Sequence, residues 1–295
     1  MKRHCHPLCF FLDPKVRFFL YLHTGKRTTI KSSPLGDKPN MVNKTVGSVE
    51  EAVIDIQDGS VICIGGFGYA GTPFCLIKAL SERKPAPRAL TLVGVATRQF
   101  DYLVAAGAVK KVITTYPGFP ANLRSLLEPK DPLIQAYKRG EVEVEVVAQG
   151  NMVERLRAAG AGIPAFYTPI GVGTELGEGR ETRLFDGTEC ILEKALKADY
   201  ALIKGHKADR YGNLVYRGTA RGHNPIYAMA ADVTIVEVDE VVDLGELAPE
   251  AVVTPGIFVD CVVKAPKTEP YQYFRDFFYE EMKDYLEYAH AKSRS

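Results

Sequence analysis

The chain has 295 residues, 46% hydrophobic and 25% charged. That is the composition of an ordinary soluble globular protein, with one large domain or two small ones, since a single core stops growing near ~250–300 residues. Its 37 Lys and Arg against 36 Asp and Glu leave no basic excess for a general nucleic-acid binder. No stretch approaches the ~20 uninterrupted apolar residues of a membrane-spanning helix. Six cysteines (Cys5, Cys9, Cys63, Cys75, Cys190 and Cys261) include no CxxC pair. Neither a disulfide framework nor a zinc site is expected from them; reduced, buried thiols in an intracellular protein are.

The near-neutral balance hides an asymmetry. Residues 1–40 hold eight basic and two acidic residues, net +6, and the remainder holds 29 basic against 34 acidic, net −5. The apolar patches Leu8–Leu12 and Val16–Leu22 are short and interrupted by Asp13-Pro14. The segment reads as a basic extension outside the fold. It is either a tail translated from an over-long start before Met41 or an organelle-targeting peptide, which is also Arg-rich and acid-poor. The expected location is cytoplasmic, or mitochondrial if the segment targets.

From Met41 onward, short β-branched runs alternate with helical stretches. Ser48–Ile56 reads as a helix with Ser48 as N-cap and Glu51 three residues on, the capping-box spacing. Asp58-Gly59 turns into Ser60–Gly65, a continuous apolar run expected of a strand buried on both faces. Pro73–Leu80 reads as a helix, Ala89–Val93 as a strand, Phe100–Ala106 as a helix and Val109–Thr115 as a strand. Glu141–Val147 alternates strictly, as a half-solvated edge strand does. Asn151–Ala159 is helical; Tyr200–Lys204, Val233–Val238 and Ile257–Val263 are strands. After Pro266, Phe274, Phe278, Met282, Tyr285 and Ala289 recur at helical spacing. Such a helix docks on its own domain or on a partner chain. The expected fold is α/β: a mostly parallel, doubly wound sheet with flanking helices, plus a C-terminal amphipathic helix. The expected organisation is an extension over 1–40, a core domain over 41–268 and a helical extension over 269–295.

The segment richest in information follows the first long strand. Gly66-Phe-Gly68-Tyr-Ala-Gly71 satisfies GxGxxG between a strand and a helix, the context of a dinucleotide fingerprint. That fingerprint also needs an acid about 20 residues on, at the end of the next strand, to hold the ribose. Leu90–Thr97 contains none, which argues against a nicotinamide cofactor. What the glycines do offer is backbone N–H groups brought close to a ligand at a helix start, a setting that favours phosphate or a developing oxyanion.

The run from Asp58-Gly59 through the apolar strand to Gly65-Gly66-Phe67, Gly71 and Pro73 resembles the signature of the alpha subunits of 3-oxoacid coenzyme A transferases. Cys63 departs from it within a normally aliphatic triplet. Further blocks agree in order: Glu143–Gly150 with Asn151–Phe166, Thr168–Thr174 with Glu178-Gly179, Ala198–Asn213 through Ala220-Arg221, and Thr254–Phe258. The likeness spans roughly Val42 to Lys264. It implies a CoA-transferase-like fold, a hetero-oligomer with a beta subunit, no permanently bound cofactor, and coenzyme A entering as a thioester substrate. Small carboxylic acids and acyl-CoA, with succinyl-CoA as the expected donor, complete the partners; no nucleic acid, membrane or metal is implied.

In the family, a glutamate attacks the thioester and becomes a glutamyl-CoA thioester, splitting one hindered exchange into easier steps. The resemblance assigns that glutamate to a Glu-Asn-Gly turn of the beta subunit, and this chain contains no Glu-Asn-Gly. Gln149 stands where the family has the amide that donates to the tetrahedral oxyanion, worth on the order of 2.7–4 kcal/mol. Gly65, Gly66, Phe67, Gly68 and Gly71, with Gly171 and Gly173 of the third block, are the implied substrate and CoA contacts. Where the family carries Ser-Asn-Asn-Ala-Gly, this chain has Gly94–Gln99, so Arg98 is offered instead as a partner for a second carboxylate. The 201–221 block looks closest to the 3-oxoadipate branch. Glu175, Glu178 and Glu181 are expected on the surface, as is His206. The basic residues Lys204, Lys207, Arg210, Arg217 and Arg221 suit either CoA phosphates or a solvated face. Two other readings stand beside the transferase: one chain of a CoA-thioester hydrolase, and a non-catalytic CoA-binding or regulatory chain.

Overall fold

A computed structural model describes residues 42–67, 70–116 and 132–266, with the side chains of 96–98 excepted. Strand β1 (Thr45–Val46) leads into α1 (Val49–Ala52), β2 (Val61–Ile64), α2 (Phe74–Glu82), β3 (Leu90–Ala96) and α3 (Asp101–Ala105). Next come β4 (Val109–Tyr116), α4 (Pro132–Lys138), β5 (Glu143–Val146) and α5 (Gln149–Gly160). Strands β6 (Ala165–Thr168), β7 (Thr182–Phe185), β8 (Thr188–Lys194), β9 (Ala198–Asp209) and β10 (Leu214–Val215) precede α6 (Asn224–Ala230), β11 (Ala231–Val242) and β12 (Cys261–Lys264). The expected extensions over 1–40 and 269–295 lie outside the described residues. Within those residues, no helix is long and apolar enough to cross a membrane.

The main sheet has the order β1-β12-β11-β9-β2-β3-β4-β5, every neighbouring pair parallel, with β10 antiparallel beside β9. The expected doubly wound sheet is therefore present, with β5 at its edge. From β2 the sheet grows one way through β3, β4 and β5, and from β9 the other way through β11 and β12. The switch between β2 and β9 parts the connections above their carboxyl ends, which is where open α/β sheets bind ligands.

Alternation within the strands feeds two apolar layers. Ile62, Ile64, Leu90, Leu92, Leu202 and Ile235 pack with α1, α2, α3 and α4 on one face. Cys63, Val93, Val95, Ile203 and Val236 pack with Met152 and Leu156 of α5 and Tyr227 of α6 on the other. Ile62, Cys63 and Ile64 are all fully buried, which explains the unbroken apolar run. Each such Ile or Leu contributes roughly 1.5–3 kcal/mol by burial.

Three local readings need correction. The first helix stops at Ala52 rather than running to Ile56. Arg83 Nη1 donates to the Val53 and Ile54 carbonyls at 2.9 and 2.8 Å, occupying acceptors that a longer helix would have used. Ser48 does cap it, accepting the Glu51 N–H at 3.2 Å, but the Glu51 carboxylate reaches Gly47 N–H instead of closing the box on Ser48. Strand β12 begins only at Cys261, because 256–258 form a 3₁₀ turn. Lys44 Nζ there donates to the carbonyls of Gly256 and Val259 at 2.7 and 2.6 Å, and Ile257 is left 81% exposed. Finally, β6, β8 and β7 form a separate antiparallel sheet that the apolar patterns did not announce. Its hairpin turns at Asp186-Gly187, both with positive φ (50° and 79°), the backbone that two-residue hairpins demand.

One buried ion group ties the layers together. Glu237 of β11 lies opposite Lys204 of β9, is 2% exposed, and accepts the Leu76 N–H in the first turn of α2 at 2.9 Å. Burial pushes its carboxyl up, and the nearby Lys204 ammonium opposes that. Lys204 also meets Asp239 at 2.7 Å. Glu237→Ala would leave a half-paired ammonium and an open helix N–H in the interior. The expected cost is about 3 kcal/mol, read as a lower urea midpoint with an unchanged m-value; a shift of under about 0.5 kcal/mol would show that the group is not a stabilising pin.

Candidate functional site

At the β2–β9 switch, Gly65 N–H donates to the Leu202 carbonyl at 2.8 Å, and the chain then doubles back. Phe67 and Ala70 exchange backbone hydrogen bonds of 3.0 and 3.3 Å. Two buried carboxamides hold this loop from below. Gln99, 1% exposed, donates to the Ile64 carbonyl at 2.8 Å. Asn224, fully buried at the start of α6, donates to the carbonyls of Gly71 and Ala220 at 3.0 and 2.9 Å. The loop is thus pinned to a segment far along the chain, and Gly222 comes within 4.0 Å of Gly66 and Phe67 at the position a side chain would occupy.

Above the loop stands a row of rings. Phe67, 49% exposed, meets Tyr116 edge-on with centroids 6.5 Å apart and, on another side, His223 at 6.4 Å. His223 in turn lies 6.3 Å from the buried Tyr227 ring. The Tyr116 hydroxyl donates to Gln149 Oε1 at 3.4 Å, a long bond. With Oε1 so engaged, the amide N–H pair of Gln149 is directed away from Tyr116. Gln149 is half-buried and opens α5, whose first turn has no side-chain cap. Its N–H groups therefore carry the helix's partial positive charge.

A second network steadies that helix start. Asn151 donates to the Ile170 carbonyl at 3.0 Å and to the Glu193 carboxylate at 2.9 Å. Glu193, 1% exposed, is met by Arg180 at 2.5 Å. The small sheet is thereby fastened to the turn beneath Gln149.

Of the residues selected from sequence, Gly65, Gly66, Phe67, Gly71 and Gln149 come together at this edge. Gly171 sits in the turn that Asn151 holds against α5, whereas a side chain at Gly173 would meet nothing within 4 Å. Gly68 lies outside the described residues, and so does the Arg98 side chain, although its backbone belongs to the 3₁₀ turn after β3. The basic group divides. Lys204 and Lys207 are paired with Asp239 and Glu240 at 2.7 Å each, and Arg210 lies over the Tyr211 ring. Arg217 and Arg221 are exposed and form no ion pair among the described residues. His206 lies 3.0 Å from Asp239. Glu175, Glu178 and Glu181 are exposed or half-buried, Glu181 accepting the Tyr167 hydroxyl.

Sequence reasoning missed Tyr116, Gln99, His223 and Asn224. Only Asn224 carried a signal, an Asn-Pro pair opening a helix. Burial holds the His223 imidazole below its ordinary pKa, so the ring is neutral at pH 7. The same cause pushes the Cys63 thiol and the Tyr227 hydroxyl up, and both stay protonated.

Comparison with known proteins agrees with this geometry. The family model for coenzyme A transferase matches residues 46–265, and the chain belongs to that family. It is 47% identical to the alpha subunit of the 3-oxoadipate CoA-transferase of Acinetobacter baylyi over 234 residues, covering 77% of this chain and 97% of that one. It is 41% identical to the mitochondrial succinyl-CoA:3-ketoacid coenzyme A transferase 2A of Mus musculus, covering 74% of this chain but 44% of the mouse protein. Among solved structures, the decarboxylase AibA/AibB superposes with a TM-score of 0.64 at 28% identity, covering 76% of this chain and 84% of that one.

Proposed function

We propose that the chain is the alpha subunit of a 3-oxoacid CoA-transferase and forms one wall of its pocket, while a companion beta subunit brings the attacking glutamate. The observation that carries this reading is Gln149: a half-buried amide at an uncapped helix start, oriented by Tyr116, beside a pinned glycine loop. The missing Glu-Asn-Gly in this sequence supports the division of labour. So does the mouse relative, which is more than twice as long as the part this chain matches.

The chemistry balances without an external proton source. The partner's carboxylate adds to the thioester carbonyl of succinyl-CoA, the oxyanion collapses, and CoA thiolate leaves an acyl anhydride. The thiolate then adds to the glutamyl carbonyl and expels succinate, giving a glutamyl-CoA thioester. A 3-oxo acid reverses both steps and departs as its CoA ester. Each step passes through an oxyanion, for which a neutral amide donor and open backbone N–H groups are suited because they strengthen as charge appears. Arg217 and Arg221, exposed and without an ion pair among the described residues, are the cations offered to the CoA phosphates.

Co-expression with a companion chain that carries Glu-Asn-Gly tests the reading. The intact pair should transfer CoA from succinyl-CoA to a 3-oxo acid, with CoA trapped on the companion's glutamate, and this chain alone should do neither. Exchange by the single chain with label on its own acid would overturn the assignment. CoA release without an acceptor would move it to a hydrolase, and release of CO₂ would move it to a decarboxylase.

A further inference from the structure

We propose that His223 reads the acid substrate beyond its reacting carboxyl, donating Nε2–H to an oxygen on that part of the chain. The inference rests on the transferase reading above and adds a specificity-determining residue to it. Three observations carry it. First, His223 flanks the exposed Phe67 ring at 6.4 Å, while the Tyr116–Gln149 pair adjoins the same ring at 6.5 Å. Phe67 is thus shared by two polar groups, and Gln149 is the one suited to the reacting carbonyl.

Second, the two nitrogens of the imidazole are unequal. Nδ1 is buried and has no hydrogen-bond partner. A proton placed there would be an N–H with no acceptor, which is costly in the interior. The proton therefore resides on Nε2, where water or substrate can accept it. The pKa lowered by burial agrees with a neutral ring, so His223 is a donor without charge.

Third, the ring is held in place. It lies 6.3 Å from Tyr227, which is wholly buried, and the next residue, Asn224, is bonded to the glycine loop through the Gly71 carbonyl. A donor fixed relative to that loop discriminates between ligands, because an acid lacking the acceptor loses a bond that the site cannot replace. The ligand chemistry is an oxygen acceptor remote from the reacting carboxyl, which a 3-oxo acid offers as its ketone and a dicarboxylate as its second carboxyl.

Four acids separate those sources in the intact two-chain enzyme: acetoacetate, butyrate, 3-oxoadipate and adipate. His223→Phe, which keeps the ring packing, should lower kcat/KM about tenfold for acids bearing the recognised oxygen and less than twofold for butyrate. Loss for both oxo acids, but not adipate, assigns the ketone; loss for both dicarboxylates, but not acetoacetate, assigns the second carboxyl. His223→Gln, which restores an N–H near Nε2, should recover most of the loss. An equal fall for all four acids, no fall for any, or no recovery with Gln would overturn the proposal. If the unmodified pair transferred CoA to none of them, the transferase reading itself would fail, and this inference with it.

Discussion

Gln149→Ala, assayed with the companion chain present, lowers kcat about a hundredfold and changes KM little, because the lost donor acts on charge that exists only in the transition state. An oxyanion donor removed from such a site costs on the order of 2.7–4 kcal/mol, which is 10²–10³ in rate. The local structure is expected to survive. Gln149 makes one long side-chain bond, to Tyr116, and the helix start is held by Asn151 through Ile170 and Glu193. Thermal unfolding should therefore shift by no more than ~2 °C. A rise in KM at constant kcat would show that Gln149 merely binds substrate, and an unaltered rate would remove it from the mechanism.

Gly71→Ala has the largest expected effect on stability in the site. Gly71 has φ of 73°, where an L side chain costs roughly 1–2 kcal/mol by itself. A Cβ would also collide with the Ala220 carbonyl oxygen and lie 2.9 Å from Asn224 Nδ2. Those are the atoms that pin the loop, so it cannot yield without breaking the Asn224 bonds. The summed loss is about 3–4 kcal/mol, from backbone strain and one or two buried hydrogen bonds. Gly173→Ala is the control: its φ is nearly the same, 71°, yet it has open space around it. It should lose only the backbone share, about 1–2 kcal/mol. Equal losses at the two positions, read by chemical denaturation, would show that the clamp contributes nothing.

Much of the fold was legible because periodicity is a local property. Ser60–Gly65 reads as a doubly buried strand and Glu141–Val147 as an edge strand from their own residues, and β2 and β5 occupy those places. Strands alternating with helices already imply a parallel sheet, and the glycine segment already implies a ligand edge. Boundaries were less legible, because they are decided by partners distant in sequence: Arg83 ends α1 and Lys44 delays β12.

From sequence alone, then, come the doubly wound architecture, the glycine loop and the absence of a Glu-Asn-Gly turn. Tertiary structure alone decided what holds that loop. Asn224 reaches Gly71 across 153 residues, and Gln99 commits its amide to Ile64 instead of facing a ligand. The same is true of charge: Lys204 and Arg217 look alike in a basic run, but one lies opposite Glu237 across a strand pair and the other has no ion pair among the described residues. The reason is that a hydrogen bond or ion pair depends on register between strands and on which chain segments cross the switch point, and neither is written in the spacing of the residues that form it.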